Sequence, residues 1–118
     1  ASSTGNETVM QLLLNKGANV ESTNNMGQTL LSVAAANGQE AAMRMLLKNG
    51  AHVESRDRDG RTPLSWATAN GHEAAVCLLL DRGARADVED RDGWTPLLRA
   101  VASEHVGVAR LLINKGAD

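Results

Sequence analysis

Glycine recurs in this 118-residue chain at positions 17, 50, 83 and 116, each time followed by alanine (Ala18, Ala51, Ala84, Ala117), so the step is 33 residues three times over. Two more ladders keep that interval: Gly27, Gly60 and Gly93, and Gly5, Gly38 and Gly71, the second of which reaches Glu104 instead of a glycine. A fixed period of this length is the mark of a stack of like units. Each of them is too small to bury its apolar face except against its neighbours.

The apolar pattern repeats in the same register. Leu12-Leu13-Leu14, Met45-Leu46-Leu47, Leu78-Leu79-Leu80 and Leu111-Leu112-Ile113 each precede the Gly-Ala step by about one turn. Val9, Ala42, Ala75 and Val108 lie a turn earlier and complete the buried face of a helix. The closing glycine supplies the left-handed residue that ends such a helix, and the alanine after it leaves room for a neighbour. A shorter helix precedes this one in each unit. Thr62-Pro63-Leu64 and Thr95-Pro96-Leu97 read as a capping threonine with proline in the first turn, and Thr29-Leu30-Leu31 is a copy without the proline. Gly38 and Gly71 end this helix, whereas Glu104 has to adopt a glycine-like conformation at roughly 1 kcal/mol or change the loop, and the expectation is that the third unit deviates there. Asp59-Gly60 and Asp92-Gly93, with Met26-Gly27 as a less typical version, favour the tight turns of β-hairpins between units.

Composition limits how such a stack is filled. There is no Phe and no Tyr, and Trp66 and Trp94 are the only aromatics of that class, so aliphatic side chains and alanine must supply the core and the helices must lie close. A formal charge of -2 and intermixed signs argue against nucleic acid or an anionic membrane as the main partner, and no segment approaches the ~18 apolar residues of a membrane span. A lone cysteine, Cys77, allows no intramolecular disulfide and suits a cytoplasmic setting, with the nucleus as the alternative. No nucleophile elbow, phosphate-cradling loop or paired metal ligands are present, so neither catalysis nor a cofactor is expected. His72 and His105 are equivalent positions one period apart and read as capping or packing groups, and Cys77 lies on the polar side of a second helix, aligned with Arg44 and Arg110.

The run Asp59-Gly60-Arg61-Thr62-Pro63-Leu64-Ser65-Trp66-Ala67, with Asn70-Gly71-His72, Leu78-Leu79-Leu80 and Gly83-Ala84, resembles an ankyrin repeat, and the resemblance extends over essentially the whole chain. It implies an all-α solenoid of helix-turn-helix units joined by hairpin loops, with a partial repeat at 1–25, full repeats at 26–58 and 59–91, and a C-terminally truncated one at 92–118. Neither end carries the polar replacements that cap such arrays, so the expectation is a piece of a longer one. Ser32, Ser65 and Leu98 stand where the family often has histidine, which removes the hydrogen bonds credited to that residue. Asparagine hydroxylation after the hairpin valine, known in the family, is not expected, because Val20 and Val53 are followed by Glu21 and Glu54.

What the resemblance implies for function is protein binding on a concave face. The hairpin tips there are Asn25, Met26 and Gln28, then Arg58, Asp59 and Arg61, then Arg91, Asp92 and Trp94. The first helices add Val33, Ala36 and Asn37, then Trp66, Ala69 and Asn70, then Arg99, Ala102 and Ser103. Both tryptophans fall in this strip, where aromatic and arginine side chains carry most binding energy. The charges of Asp57, Asp59, Asp90 and Asp92 among the arginines are expected to be solvated and self-paired. A protein-interaction module within a larger signalling protein is the leading expectation. A spacer, self-associating end to end through bare terminal units, is the alternative.

Overall fold

The computed structural model describes residues 23 and 25–115, and the expectations at Gly5, Val9, Leu12 to Leu14, Gly17-Ala18, Val20-Glu21 and Gly116-Ala117 lie outside them. Six helices follow in order: α1 (Leu30–Ala36), α2 (Glu40–Lys48), α3 (Pro63–Ala69), α4 (Glu73–Asp81), α5 (Pro96–Ala102) and α6 (Val106–Lys115). They form three pairs. The short helices α1, α3 and α5 stack in one layer and the longer α2, α4 and α6 in a second.

Both ends of the short helices are set by the residues that the sequence points to. Thr29, Thr62 and Thr95 sit at their N-caps in extended conformation, and each hydroxyl accepts the N–H of the residue three further on, Ser32, Ser65 or Leu98. Pro63 and Pro96 occupy the first turn, where no N–H is needed. Ser32 and Ser65, in place of the family histidine, turn their hydroxyls to those of Thr29 and Thr62 at 3.4 and 3.2 Å. At the far end each helix closes in a Schellman arrangement. Gly38 N–H donates to Ala35 and Gln39 N–H to Ala34, and Gly71 with His72 repeats the pattern on Thr68 and Ala67.

The third unit does not deviate at this closure. Glu104 takes φ +60°, against +66° and +74° at Gly38 and Gly71, and the same two bonds form, from Glu104 N–H to Val101 and from His105 N–H to Ala100. The closing bonds therefore outweigh the strain of a left-handed glutamate. Replacing Glu104 with glycine is expected to raise the stability of the fold by about 0.5–1 kcal/mol, read from urea unfolding. An unchanged midpoint would mean that no strain is stored there.

The core is aliphatic, as the composition requires. Leu31, Ala34, Ala35, Leu64, Ala67 and Ala100 from the short helices meet Ala42, Met43, Leu46, Ala75, Val76, Leu79, Val108 and Leu112 from the long ones. One member of the expected face is displaced: Ile113 is 54% exposed, because no described residue lies outside α6 to cover it. The long helices α2 and α4 also end in Schellman closures, with Gly50 and Gly83 at φ +94° and +91° and the N–H of Ala51 and Ala84 donating to Leu46 and Leu79.

His72 and His105 prove to be ties between successive pairs. Nε2 of His72 lies 3.1 Å from the carbonyl oxygen of Ala36, and that of His105 lies 3.2 Å from Ala69. A carbonyl only accepts, so Nε2 carries the proton in each. Each ring also lies against the preceding pair's glycine: a Cβ on Gly38 would come within 2.6 Å of the His72 ring, and one on Gly71 within 2.8 Å of His105. These two glycines are needed for space as well as for φ. Among the described residues no group of three or more His, Cys, Asp or Glu could hold a metal ion, and no helix is long and apolar enough to cross a membrane.

Candidate functional site

The loops between pairs project as tips, but they are not the two-residue hairpins that Asp-Gly suggests. Gly60 N–H donates to the Asp57 carbonyl, Asp57 N–H donates to the Arg61 carbonyl, and Gly60 itself has φ +75°. This is a three-residue turn closed by a glycine bulge, and Asp90 to Trp94 repeats it with Gly93 at +83°. The one β-bridge among the described residues joins Thr23 and Thr29, so the arms do not extend into strands.

Each turn is built around an aspartate. Asp57 Oδ1 accepts the N–H groups of Asp59 and Arg61 at 2.9 and 3.0 Å, and Asp90 Oδ1 accepts those of Asp92 and Trp94 at the same distances. Both side chains are buried. The expectation of solvated charge is therefore wrong for Asp57 and Asp90, and that of self-pairing holds for Asp90, which is paired with Arg99. A carboxylate can sit below the surface there because backbone donors and one further group satisfy it. The signal was legible: an aspartate three residues before glycine, repeated after 33, is the pattern of an aspartate that folds its own turn.

The further group differs between the two turns. Trp66 Nε1 donates to Asp57 Oδ2 at 2.9 Å, whereas Arg99 Nη2 donates to Asp90 Oδ2 at 2.8 Å. Trp66 and Arg99 are equivalent residues, nine beyond their aspartates. Arg61 and Trp94 are also equivalent, four beyond, so the second unit carries Arg-then-Trp and the third Trp-then-Arg. In each, the guanidinium lies over the indole, at 5.0 Å for Arg61 on Trp66 and 5.1 Å for Arg99 on Trp94. Arg61 Nε also approaches Asp90 Oδ2 at 3.8 Å, which links the two clusters into one row, Trp66, Arg61, Asp90, Arg99, Trp94. Burial alone would raise the Asp90 carboxyl, but the hydrogen bond from Arg99, the backbone N–H groups of Trp94 and Asp92 and the charge of Arg99 together hold it below the ordinary carboxylate value.

None of the remaining candidates is buried. Met26, Val33 and Asn37 are exposed and Gln28 is half-buried on the first unit; that unit has no Arg–Trp pair. Arg58 and Arg91 are exposed, yet their stems run over the neighbouring tip, against Gly27 and Gly60 respectively. The backbone N–H groups of Arg58 and Arg91 donate to the carbonyls of Met26 and Asp59, and Arg91 Nη1 donates to the carbonyl of Arg58. Asp59 and Asp92 stand at the exposed tips. Asn37, Asn70 and Ser103 are the C-caps of the short helices, and Asn70 Nδ2 reaches back to the carbonyl of Ala36 at 2.8 Å. The strip is thus held in place by bonds that tie each tip to the one before it.

A family model described as ankyrin repeats, in three copies, matches this sequence over residues 1–57 and 52–118. No curated protein matches it. Ankyrin repeats are generally protein–protein interaction modules, typically without enzymatic activity of their own.

Proposed function

This chain belongs to the ankyrin repeat family, and we propose that it binds another protein along the row formed by Trp66, Arg61, Asp90, Arg99 and Trp94. The observation that supports this reading is the linked pair of Arg–Trp stacks, which sets two indoles and two guanidinium groups in one row. Large aromatic and arginine side chains that are already ordered lose little entropy on binding. The flanking residues Met26, Gln28, Val33, Asn37, Arg58, Asp59, Asn70, Arg91, Asp92 and Ser103 form its polar and apolar rim.

The test compares the native protein with Trp94→Ala, with the Trp66→Ala, Trp94→Ala double variant, and with Arg44→Ala, Arg110→Ala on the exposed side of the long helices. Each is immobilised and exposed to cell extract, and folding is checked by circular dichroism. A partner retained by the native protein should bind at least tenfold more weakly to the tryptophan variants and equally to the arginine control. Equal retention by all of them would remove the row from any role in binding. The spacer reading draws on a different feature, the apolar side chains left open on the outer side of α5 and α6.

A further inference from the structure

We infer that the row of Trp66, Arg61, Asp90, Arg99 and Trp94 takes a segment of a partner protein that carries an aspartate or glutamate beside apolar side chains, with the carboxylate seated on Arg61. The inference rests on the reading of this row as a binding surface and adds what the partner must offer to it.

The hydrogen bonds within the row use up its acceptors and leave donors over. Asp90 gives Oδ1 to the N–H groups of Asp92 and Trp94 and Oδ2 to Arg99. Asp57 likewise gives Oδ1 to the N–H groups of Asp59 and Arg61 and Oδ2 to the indole of Trp66. On the donor side Arg99 spends only Nη2, and the guanidinium of Arg61 makes no hydrogen bond among the described residues. Its Nε is buried 3.8 Å from Asp90 Oδ2, too far for such a bond, while Arg99 holds that oxygen at 2.8 Å.

Exposure divides the row in the same way. The side chains of Arg61 and Arg99 keep 26% and 22% of their surface open, and that of Asp90 keeps 2%. At the exposed tips Arg58 with Asp59, and Arg91 with Asp92, carry both signs in equal number. A partner therefore meets unspent guanidinium groups in the row and no free carboxylate. A cationic segment finds no acceptor there, and each indole already carries a guanidinium over its ring. A carboxylate, by contrast, matches the planar fork of Arg61, which can donate to both of its oxygens. Apolar neighbours suit Trp94, 37% exposed, and Val33, the equivalent of Trp66 on the first unit, 36% exposed.

Short random peptides displayed on phage are selected on the immobilised native protein, and the selected sequences are synthesised and titrated by fluorescence anisotropy. They are titrated against the native protein, Arg61→Gln, Arg61→Lys, and the Trp66→Ala, Trp94→Ala double variant, each checked for folding by circular dichroism. Trp94→Ala alone replaces the double variant if that one loses helicity. The peptides that depend on the tryptophans are expected to share an aspartate or glutamate. Replacing it by asparagine or glutamine should weaken binding about tenfold on the native protein and leave binding to Arg61→Gln unchanged. Arg61→Lys, which keeps the charge without the fork, should bind with intermediate affinity. Tryptophan-dependent peptides that are neutral or basic overturn the inference, as does an acidic residue whose replacement costs as much on Arg61→Gln as on the native protein; either result leaves the row a binding surface. Peptides that bind the native protein and the tryptophan variants equally, or a selection that yields no binder, overturn the row reading and the inference together.

Discussion

Gly71→Ala is expected to be among the most damaging single-methyl changes in this protein, costing about 2–4 kcal/mol of folding stability. Two separate effects add. Gly71 stands at φ +74°, where any Cβ is strained by about 1 kcal/mol or more, and that Cβ would lie 2.8 Å from the His105 ring. The ring cannot simply move, because its Nε2 is bonded to the carbonyl of Ala69 in the same closure. A double-mutant cycle with His105→Ala separates the two effects. The steric share, about 1–3 kcal/mol, should vanish in the double variant, and the backbone share should persist. If the two substitutions proved simply additive, the histidine would not be what fills the space above the glycine. Glu104 gives an internal control: it holds a Cβ at the same φ with no ring above it, and the closure survives.

The second large effect is expected at Asp90. Its side chain takes part in bonds to two backbone N–H groups and to Arg99 and approaches Arg61, so it organises the third tip and joins the two Arg–Trp stacks. Asp90→Ala should cost about 2–4 kcal/mol, because the donors lose their acceptor and Arg99 loses its counter-charge. The same site predicts a pH dependence. The folded carboxyl titrates below its unfolded value, so the folded state binds the proton less readily. Its stabilisation is complete above about pH 4 and is lost as pH falls through the folded value. Urea midpoints measured from about pH 6 to pH 2 should fall for the native protein, and the fall should be shallower for Asp90→Asn, which is already destabilised at neutral pH. Parallel curves for the two proteins would show that the acid sensitivity arises elsewhere.

Much of the fold is legible in the sequence, because its determinants are local and repeat. Glycine at a fixed interval, threonine before proline and three aliphatic residues before Gly-Ala each specify a helix end or a helix face without reference to distant residues. The same holds for the placement of Trp66 and Trp94 on one strip, since a repeat of constant length carries equivalent residues to equivalent places. What could not be read that way were contacts whose two sides come from different units or from residues with more than one good conformation. Asp57 and Asp90 look like surface charges until the turn closes around them and an indole or a guanidinium arrives from the next helix. The exchange of arginine and tryptophan between the second and third units is visible in the sequence only after the two stacks are known to exist. Glu104 left two outcomes open, and the choice depended on whether the Schellman bonds outweighed a left-handed side chain.

The sequence by itself determined the period, the ends of the short helices and the aliphatic core, because each follows from the intrinsic preferences of a few neighbouring residues. Tertiary structure alone decided how the units grip one another: the histidine over the preceding glycine, the arginine stem across the preceding tip and the buried aspartate shared between stacks. Apart from the Asp90–Arg99 bond, which spans nine residues, these contacts join residues about a period apart, and no local preference encodes them. Their energies depend on close approach and on the exclusion of water, conditions that exist only once the pairs have stacked.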